Sequence, residues 1–269
     1  MPEANINGIQ ISYQWDQAGS AKRATDPVVL LSNSLSSNLS MWDRQVGALL
    51  ENGYRVLRYD SRGHGASSAP NEPYSISMLA ADAIGLLDSL GIATAHFCGL
   101  SMGGMVGQYL ASHFPDRLTS VTLCATAAYL NPPGVWDERR ELVLSKGMAA
   151  VVDATMSRWF TPAAANNIPN DLDAIRAGIL LTPPEGYANC CLAIRDMDQR
   201  KSITKIKLPV LVIAGESDPS TTVENAEEIA NAIEGAKIKI IKDAQHLLNV
   251  EKSEEFNTTL LQFLKEQVK

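Results

Sequence analysis

The sequence predicts an α/β protein in which helices cover both faces of a mostly parallel eight-stranded sheet and a helical cap is inserted. Three observations lead to this fold class. Short apolar runs alternate with helical patterns along most of the 269 residues, as expected of a parallel sheet buried on both faces. One long stretch between strands has helical patterns only. A serine between two glycines directly follows one of the apolar runs.

Eight strands are expected. Asn7-Gly8 lies between alternating apolar residues, which predicts a hairpin of two short antiparallel strands. The six later strands are the runs PVVLLS, YRVLRYD, AHFCGL, LTSVTLCAT, LPVLVIAG and AKIKIIKD. Helices are predicted near residues 42–50, 76–90, 101–113, 223–233 and 253–267.

The helical stretch at residues 128–202 is expected to be a cap, inserted between core segments 1–127 and 203–269. It follows a strand and therefore leaves the carboxyl edge of the sheet, where doubly wound folds bind ligands. An independent helical domain fits less well, because both flanks belong to one sheet.

Composition limits the function classes. The chain is 45% apolar and 20% charged, which is typical of a globular protein. Its net charge of −7 argues against nucleic-acid or anionic-membrane partners, and neither a secretory signal nor a membrane span is expected. The sequence does not determine the oligomeric state, and a homo-oligomer is one of the possibilities.

The four cysteines, Cys98, Cys124, Cys190 and Cys191, lack the spacing of a metal site. The first two lie in apolar runs and are expected to pack as small hydrophobic side chains. We therefore expect a reducing cytoplasm as the compartment, and neither a metal nor another cofactor.

The stretch FCGLSMGG points to chemistry. Gly99, Ser101 and Gly103 fit the pattern G-x-S-x-G, in which a nucleophilic serine occupies a turn too sharp for side chains two residues to either side. We therefore expect Ser101 to be the nucleophile.

A serine hydroxyl needs a base, and the chain has four histidines. His96 is expected within a strand, His113 at a helix end and His64 on a loop that precedes the serine. In hydrolases with this turn the order along the chain is serine, acid, histidine, which selects His246 after the last strand.

The acid is expected at the end of the preceding strand, where VLVIAGESDPS places Asp218. Other acidic residues fit less well: Asp60 is expected to cap a glycine-rich turn, and Glu216 lies two residues too early. Asp243 is too close to His246, and Asp198 belongs to the cap.

Two backbone N–H groups are needed to bind the oxyanion of an acyl-transfer reaction. One is that of Met102, the residue after the nucleophile. The other is expected in the loop NSLSS after the first parallel strand. Many proteins with this turn have His-Gly there, and aligning Asn33-Ser34 with that pair makes Leu35 the second donor.

These residues give the chain a resemblance to the α/β-hydrolase family over nearly its whole length, and within it to 3-oxoadipate enol-lactonases. The matching stretches are LSNSL with LSMW, LRYDSRGHGAS, FCGLSMGGMVGQ, SRWFT, EGYANCCLAIRDMDQR and GESDPS. Members often have Gly-Thr after NSL and Thr-Pro after the acid loop, where this chain has Ser36-Ser37 and Thr221-Thr222.

The resemblance implies a small-molecule lactone or ester as substrate, and a place in aromatic catabolism through the β-ketoadipate pathway. A cap of this kind would shape the pocket with Trp136 or Trp159. A carboxylate on the substrate would need a cation in this acidic protein, and the cap offers Arg139, Arg140, Arg158 and Arg195.

Several alternatives stay open. The chain could be a carboxylesterase, a perhydrolase or a lactonase of other specificity, which rates on enol-lactones and aryl esters would separate. It could also be a small-molecule receptor that reacts once without turning over. Dehalogenases and epoxide hydrolases fit poorly, because those relatives have an aspartate where this chain has Ser101.

Overall fold

The structure is a computed structural model that describes residues 1–16 and 26–267. Its strands are β1 (Glu3–Ile6), β2 (Ile9–Asp16), β3 (Val28–Ser32), β4 (Arg55–Tyr59), β5 (Ala95–Leu100), β6 (Leu118–Cys124), β7 (Val210–Gly215) and β8 (Lys237–Ile241). They form one eight-stranded sheet in the order β1-β2-β4-β3-β5-β6-β7-β8. Strands β1 and β2 pair with each other, and β2 with β4, in antiparallel fashion, whereas β3 to β8 are parallel. The predicted mostly parallel sheet of eight strands is confirmed.

The hairpin between β1 and β2 turns at Asn7 and Gly8, whose φ angles are 50° and 82°. Two consecutive left-handed residues are the signature of a type I′ turn, which asparagine and glycine tolerate best. At the centre of the sheet, β3, β5 and β7 are buried along their whole length, as continuous apolar runs predict. On the free edge of β8, the exposed Lys237 hinders pairing with another chain.

Five longer helices pack on the sheet: α1 (Asp43–Glu51), α2 (Ile76–Ser89), α3 (Met102–His113), α9 (Val223–Ala232) and α11 (Ser253–Lys265). Helix α1 packs against α11, and α2 against α3. Helix α3 starts one residue later than predicted, because Ser101 is its N-cap rather than its first residue.

The stretch between β6 and β7 is helical, with α4 (Gly134–Lys146), α5 (Val152–Trp159), α6 (Ala164–Asn167), α7 (Pro169–Leu181) and α8 (Pro184–Arg195). Helices α4 and α8 pack closely together. An isolated β-bridge joins Tyr129 to Asp198 near the two ends of this stretch. The remaining helix, α10 (Leu248–Glu251), precedes α11.

Because β3, β5, β7 and β8 are parallel, the loops after their carboxyl ends emerge on one edge of the sheet. These loops carry every residue expected to react. In the part of the chain that the structure describes, no helix is both long and apolar enough to cross a bilayer.

Candidate active site

Ser101 lies on the sharp turn between β5 and α3, with φ 58° and ψ −114°. A Cβ on Gly99 would lie 2.1 Å from the carbonyl oxygen of Gly103, and one on Gly103 would lie 2.2 Å from that of Ser32. Real side chains cannot occupy either position, which explains both glycines. Ser101 is held in this strained conformation because its N–H donates to the carbonyl of Cys124 at 2.8 Å, so the fold itself fixes the geometry of the expected nucleophile.

The structure joins His246 and Asp218. The Nδ1–H of His246 donates to Oδ2 of Asp218 at 2.7 Å, and both residues are buried. The backbone N–H groups of Ser220 and Thr221 donate to Oδ1 at 2.7 and 3.2 Å. Burial alone would raise the pKa of the Asp218 carboxyl, but His246 and these donors outweigh it and lower that pKa below its ordinary value. Asp218 is therefore a carboxylate that orients the imidazole.

Thr221 completes this arrangement, and the sequence reasoning missed it. Its hydroxyl donates to Oδ2 of Asp218 at 2.8 Å and lies 3.3 Å from Nδ1 of His246. The signal was a threonine three residues after an aspartate, a spacing at which side chain and turn bond to each other. In the sequence, Thr221 stands out only as a departure from the family pattern.

A cavity of about 170 Å³ lies between the sheet edge and the inserted helices. The residues that line it include Leu35, Ser101, Trp136, Arg139, Arg158, Trp159 and His246. The ring of Trp159 lies 6.4 Å from that of His246, centre to centre. The expected nucleophile, base and both tryptophans thus face one small chamber.

Arg139 and Arg158 line this cavity, and neither forms an ion pair with a described carboxylate. The guanidinium of Arg139 lies over the ring of Trp136, 4.8 Å from its centre. Burial and the nearby charge of Arg139 lower the pKa of Arg158. Two cations that have no counter-ion among the described residues make the chamber suited to an anionic ligand.

The other two arginines do not line the cavity. Arg195 pairs with Asp137 and with Asp196, each at 2.7 Å, so its charge is already neutralised. The Nε of Arg140 is buried and has no hydrogen-bond partner in the part of the chain that the structure describes.

The structure places the two expected oxyanion donors at the start of α3 and on the cavity wall. Met102 is the first residue of α3, and the first N–H groups of a helix have no partner within it. Leu35 lines the cavity. Among the described residues, neither N–H donates to another group, so both remain free for a ligand.

The other histidines are occupied elsewhere. His64 is fully buried, and its Nε2 accepts the N–H of Ser36 at 2.8 Å. His96 is bonded to Ser120 inside the sheet at 2.8 Å, and His113 to the carbonyl of Tyr109 at 3.0 Å. Of the four, His246 faces the cavity.

The other acidic residues have structural partners. Asp60 accepts the N–H groups of Leu39 and Ala66, as expected of a turn cap. Asp198 pairs with Arg200 at 2.6 Å. The remaining two, Asp243 and Glu216, bond to each other through a backbone N–H at 3.3 Å. No group of three or more His, Cys, Asp or Glu among residues 1–16 and 26–267 is arranged to hold a metal ion.

The chain is similar to known proteins over most of its length. The family described as alpha/beta hydrolase fold matches residues 27–253. The chain is 41% identical to 3-oxoadipate enol-lactonase 2 of Acinetobacter baylyi, over 87% of both proteins. It is similar to the crystal structure of the enol-lactonase from Burkholderia xenovorans LB400, with 44% identity, a TM-score of 0.94, and coverage of 98% of this chain and 100% of that one.

A hydrolase from Pseudomonas aeruginosa PA01 is 40% identical with a TM-score of 0.92, over 98% of this chain and 97% of that one. Similarity over 98% of the chain includes both the sheet core and the helices inserted between β6 and β7. The chain belongs to the alpha/beta hydrolase fold family and is a hydrolase homologous to the 3-oxoadipate enol-lactonases.

Proposed function

We propose that the protein hydrolyses 3-oxoadipate enol-lactone, a five-membered enol-lactone with a carboxylate arm, to 3-oxoadipate. The observation that carries this proposal is the content of one chamber. The chamber is lined by Ser101 on its strained turn, by His246 and by two arginines that pair with no described carboxylate. Asp218 lies behind His246 and is hydrogen-bonded to it. The similarity to enol-lactonases supports the choice of ring.

In the proposed first step, Oγ of Ser101 attacks the lactone carbonyl while Nε2 of His246 accepts its proton. Asp218 stabilises the resulting imidazolium. The N–H groups of Leu35 and Met102 bind the oxyanion, where charge develops only during reaction. When the intermediate collapses, the ring C–O bond breaks and His246 returns the proton to the leaving enol oxygen.

The leaving group of a lactone stays attached to the acyl chain, so the acyl-enzyme retains every atom of the substrate. The enol can then tautomerise to the ketone. Water, deprotonated by His246, attacks the ester carbonyl, and Ser101 leaves with the proton. His246 thus accepts a proton and returns it once during ring opening and once during hydrolysis of the acyl-enzyme.

The carboxylate arm is assigned to Arg158 and Arg139. A substrate anion entering a protein of net charge −7 is repelled unless a local cation meets it. Burial and, to a smaller extent, repulsion by Arg139 lower the pKa of Arg158, and a bound carboxylate would offset both effects. Trp136 and Trp159 supply flat apolar walls for the ring.

We assign residues 128–202 the role of a cap over the chamber. Helices α4, α5 and α8 carry the arginines, tryptophans and Tyr187 that line it. The expected compartment remains the cytoplasm, since the four cysteines are buried free thiols, a state that a reducing compartment maintains.

The test compares kcat/KM of the purified protein on 3-oxoadipate enol-lactone and on p-nitrophenyl acetate. We expect the lactone to be preferred on the order of a hundredfold, because only it uses the arginine contacts. Ser101→Ala should lower both rates by about a thousandfold or more. A preference for the aryl ester would favour the carboxylesterase alternative, and a single burst without turnover would favour the receptor.

A further inference from the structure

The loop that carries the oxyanion donor Leu35 contains a strained residue. Ser36 has φ 60°, in the left-handed region that glycine occupies without cost. The N–H of Ser37 donates to the carbonyl of Ser34 at 3.2 Å, which closes a four-residue turn with Ser36 in third place. Turns with a left-handed third residue usually place glycine there. Something else in this chain must hold Ser36 in that conformation.

A hydrogen bond to His64 holds Ser36 in this conformation. Its Nε2 accepts the N–H of Ser36 at 2.8 Å, and its Nδ1 lies 3.2 Å from the carbonyl of Arg62. A carbonyl can only accept, so Nδ1 carries the ring proton and Nε2 is free to accept. Complete burial lowers the pKa of His64 to about 4, which keeps the ring neutral at ordinary pH.

The loop around His64 is itself fixed. The N–H of His64 donates to the carbonyl of Ser61 at 2.9 Å, and its carbonyl accepts the N–H of Ser67 at 3.1 Å. A Cβ on the neighbouring Gly63 would lie 2.7 Å from the Cα of Gly186 in α8, so the loop is wedged against the inserted helices. His64 is therefore a rigid acceptor rather than an adaptable one.

We propose that His64 is the positioning residue of the oxyanion hole, acting through the Ser36 N–H to hold the Leu35 N–H toward the nucleophile. Thr182, just after α7, also contacts Ser36, with its hydroxyl 3.4 Å from the carbonyl oxygen. His64 takes no part in proton transfer. This role rests on the proposed acyl-transfer chemistry, but not on the identity of the lactone.

The kinetic test uses His64→Leu, which removes the acceptor. Because oxyanion contacts strengthen in the transition state, kcat on p-nitrophenyl acetate should fall by about ten- to a hundredfold, with KM changed less than about threefold. The affinity for phenylboronic acid, a tetrahedral mimic, should weaken in proportion. His64→Gln, whose side-chain oxygen can reach the Nε2 position, should restore most of kcat.

His96→Leu is the matched control, since His96 is also a buried neutral histidine but bonds within the sheet. It should leave kcat within about threefold. Equal losses of kcat in both variants, or a normal kcat in His64→Leu, would overturn the proposal.

A double-mutant cycle tests the strain argument. Glycine adopts the left-handed conformation at position 36 freely, so His64→Leu should cost less kcat in a Ser36→Gly background than in the wild type. Equal costs in the two backgrounds would contradict a role through Ser36.

Nitrogen-15 NMR of the wild-type protein gives a readout independent of whether the variants fold. The proposal requires His64 with Nδ1 protonated, Nε2 unprotonated and a coupling across the hydrogen bond to the Ser36 amide. An Nε2–H tautomer would overturn it. Failure of the wild type on the lactone with activity on the aryl ester would overturn the proposed substrate and leave this inference standing.

Discussion

Replacing Arg158 by methionine should reduce selectivity for an anionic substrate while sparing the chemistry. Methionine retains an unbranched, flexible apolar side chain and deletes the charge. Arg158 lines the cavity beside Arg139, and neither pairs with a described carboxylate. A hydrogen bond to a charged group contributes about 1.5–3 kcal/mol, which is about ten- to a hundredfold in kcat/KM.

The assay measures kcat/KM for the enol-lactone and for its analogue with a neutral amide in place of the carboxylate. In Arg158→Met the ratio of acid to amide should fall by about ten- to a hundredfold, with the amide rate nearly unchanged. Arg195→Met is the control, because Arg195 is already neutralised by Asp137 and Asp196. Equal losses on acid and amide would refute the assignment of the carboxylate to Arg158.

Three further predictions concern the residues around the site. Asp218→Asn should lower kcat by about a thousandfold or more. The control is Asp198→Asn, which should leave kcat within about threefold, because Asp198 pairs with an exposed arginine. A larger loss in Asp198→Asn than in Asp218→Asn would mean that the acid is misplaced. Thr221→Val should lower kcat about ten- to a hundredfold by removing a hydrogen bond to the Asp218 carboxylate, and Thr221→Ser should retain activity; a fully active valine variant would exclude a positioning role. The free energy of unfolding, measured in urea, should fall between pH 7 and pH 5 by about 2 kcal/mol for each of His64 and His96. Burial lowers the pKa of both to about 4, so below about pH 6.5 the unfolded chain binds protons that the folded chain does not; a flat profile would contradict this.

Much of the fold could be predicted because apolar periodicity and turn chemistry are local signals. The hairpin at Asn7-Gly8 and the six later strands were readable in this way. Helix boundaries were less accurate. The predicted start of α3 is one residue too early, because the sharp turn after β5 forces Ser101 out of helical geometry.

The contacts within the candidate site were less predictable, because they depend on which loops meet in space. Chain order and strand ends singled out Asp218 and His246, which the structure brings to 2.7 Å. Nothing local distinguished Arg158 from Arg195, since only the packing of the inserted helices decides which one faces the cavity. The hydrogen bond from Ser36 to His64 joins residues 28 positions apart. No sequence pattern in either segment predicts it.

The most direct test of the central claim is the mass of the acyl-enzyme. Mixing the protein with 3-oxoadipate enol-lactone, quenching with acid within milliseconds and mapping the peptides should show a covalent adduct on Ser101. Because the leaving oxygen of a lactone stays attached, the predicted mass increase equals that of the whole substrate. Rapid turnover of the lactone with no adduct on Ser101, or an adduct on another residue, would contradict the account.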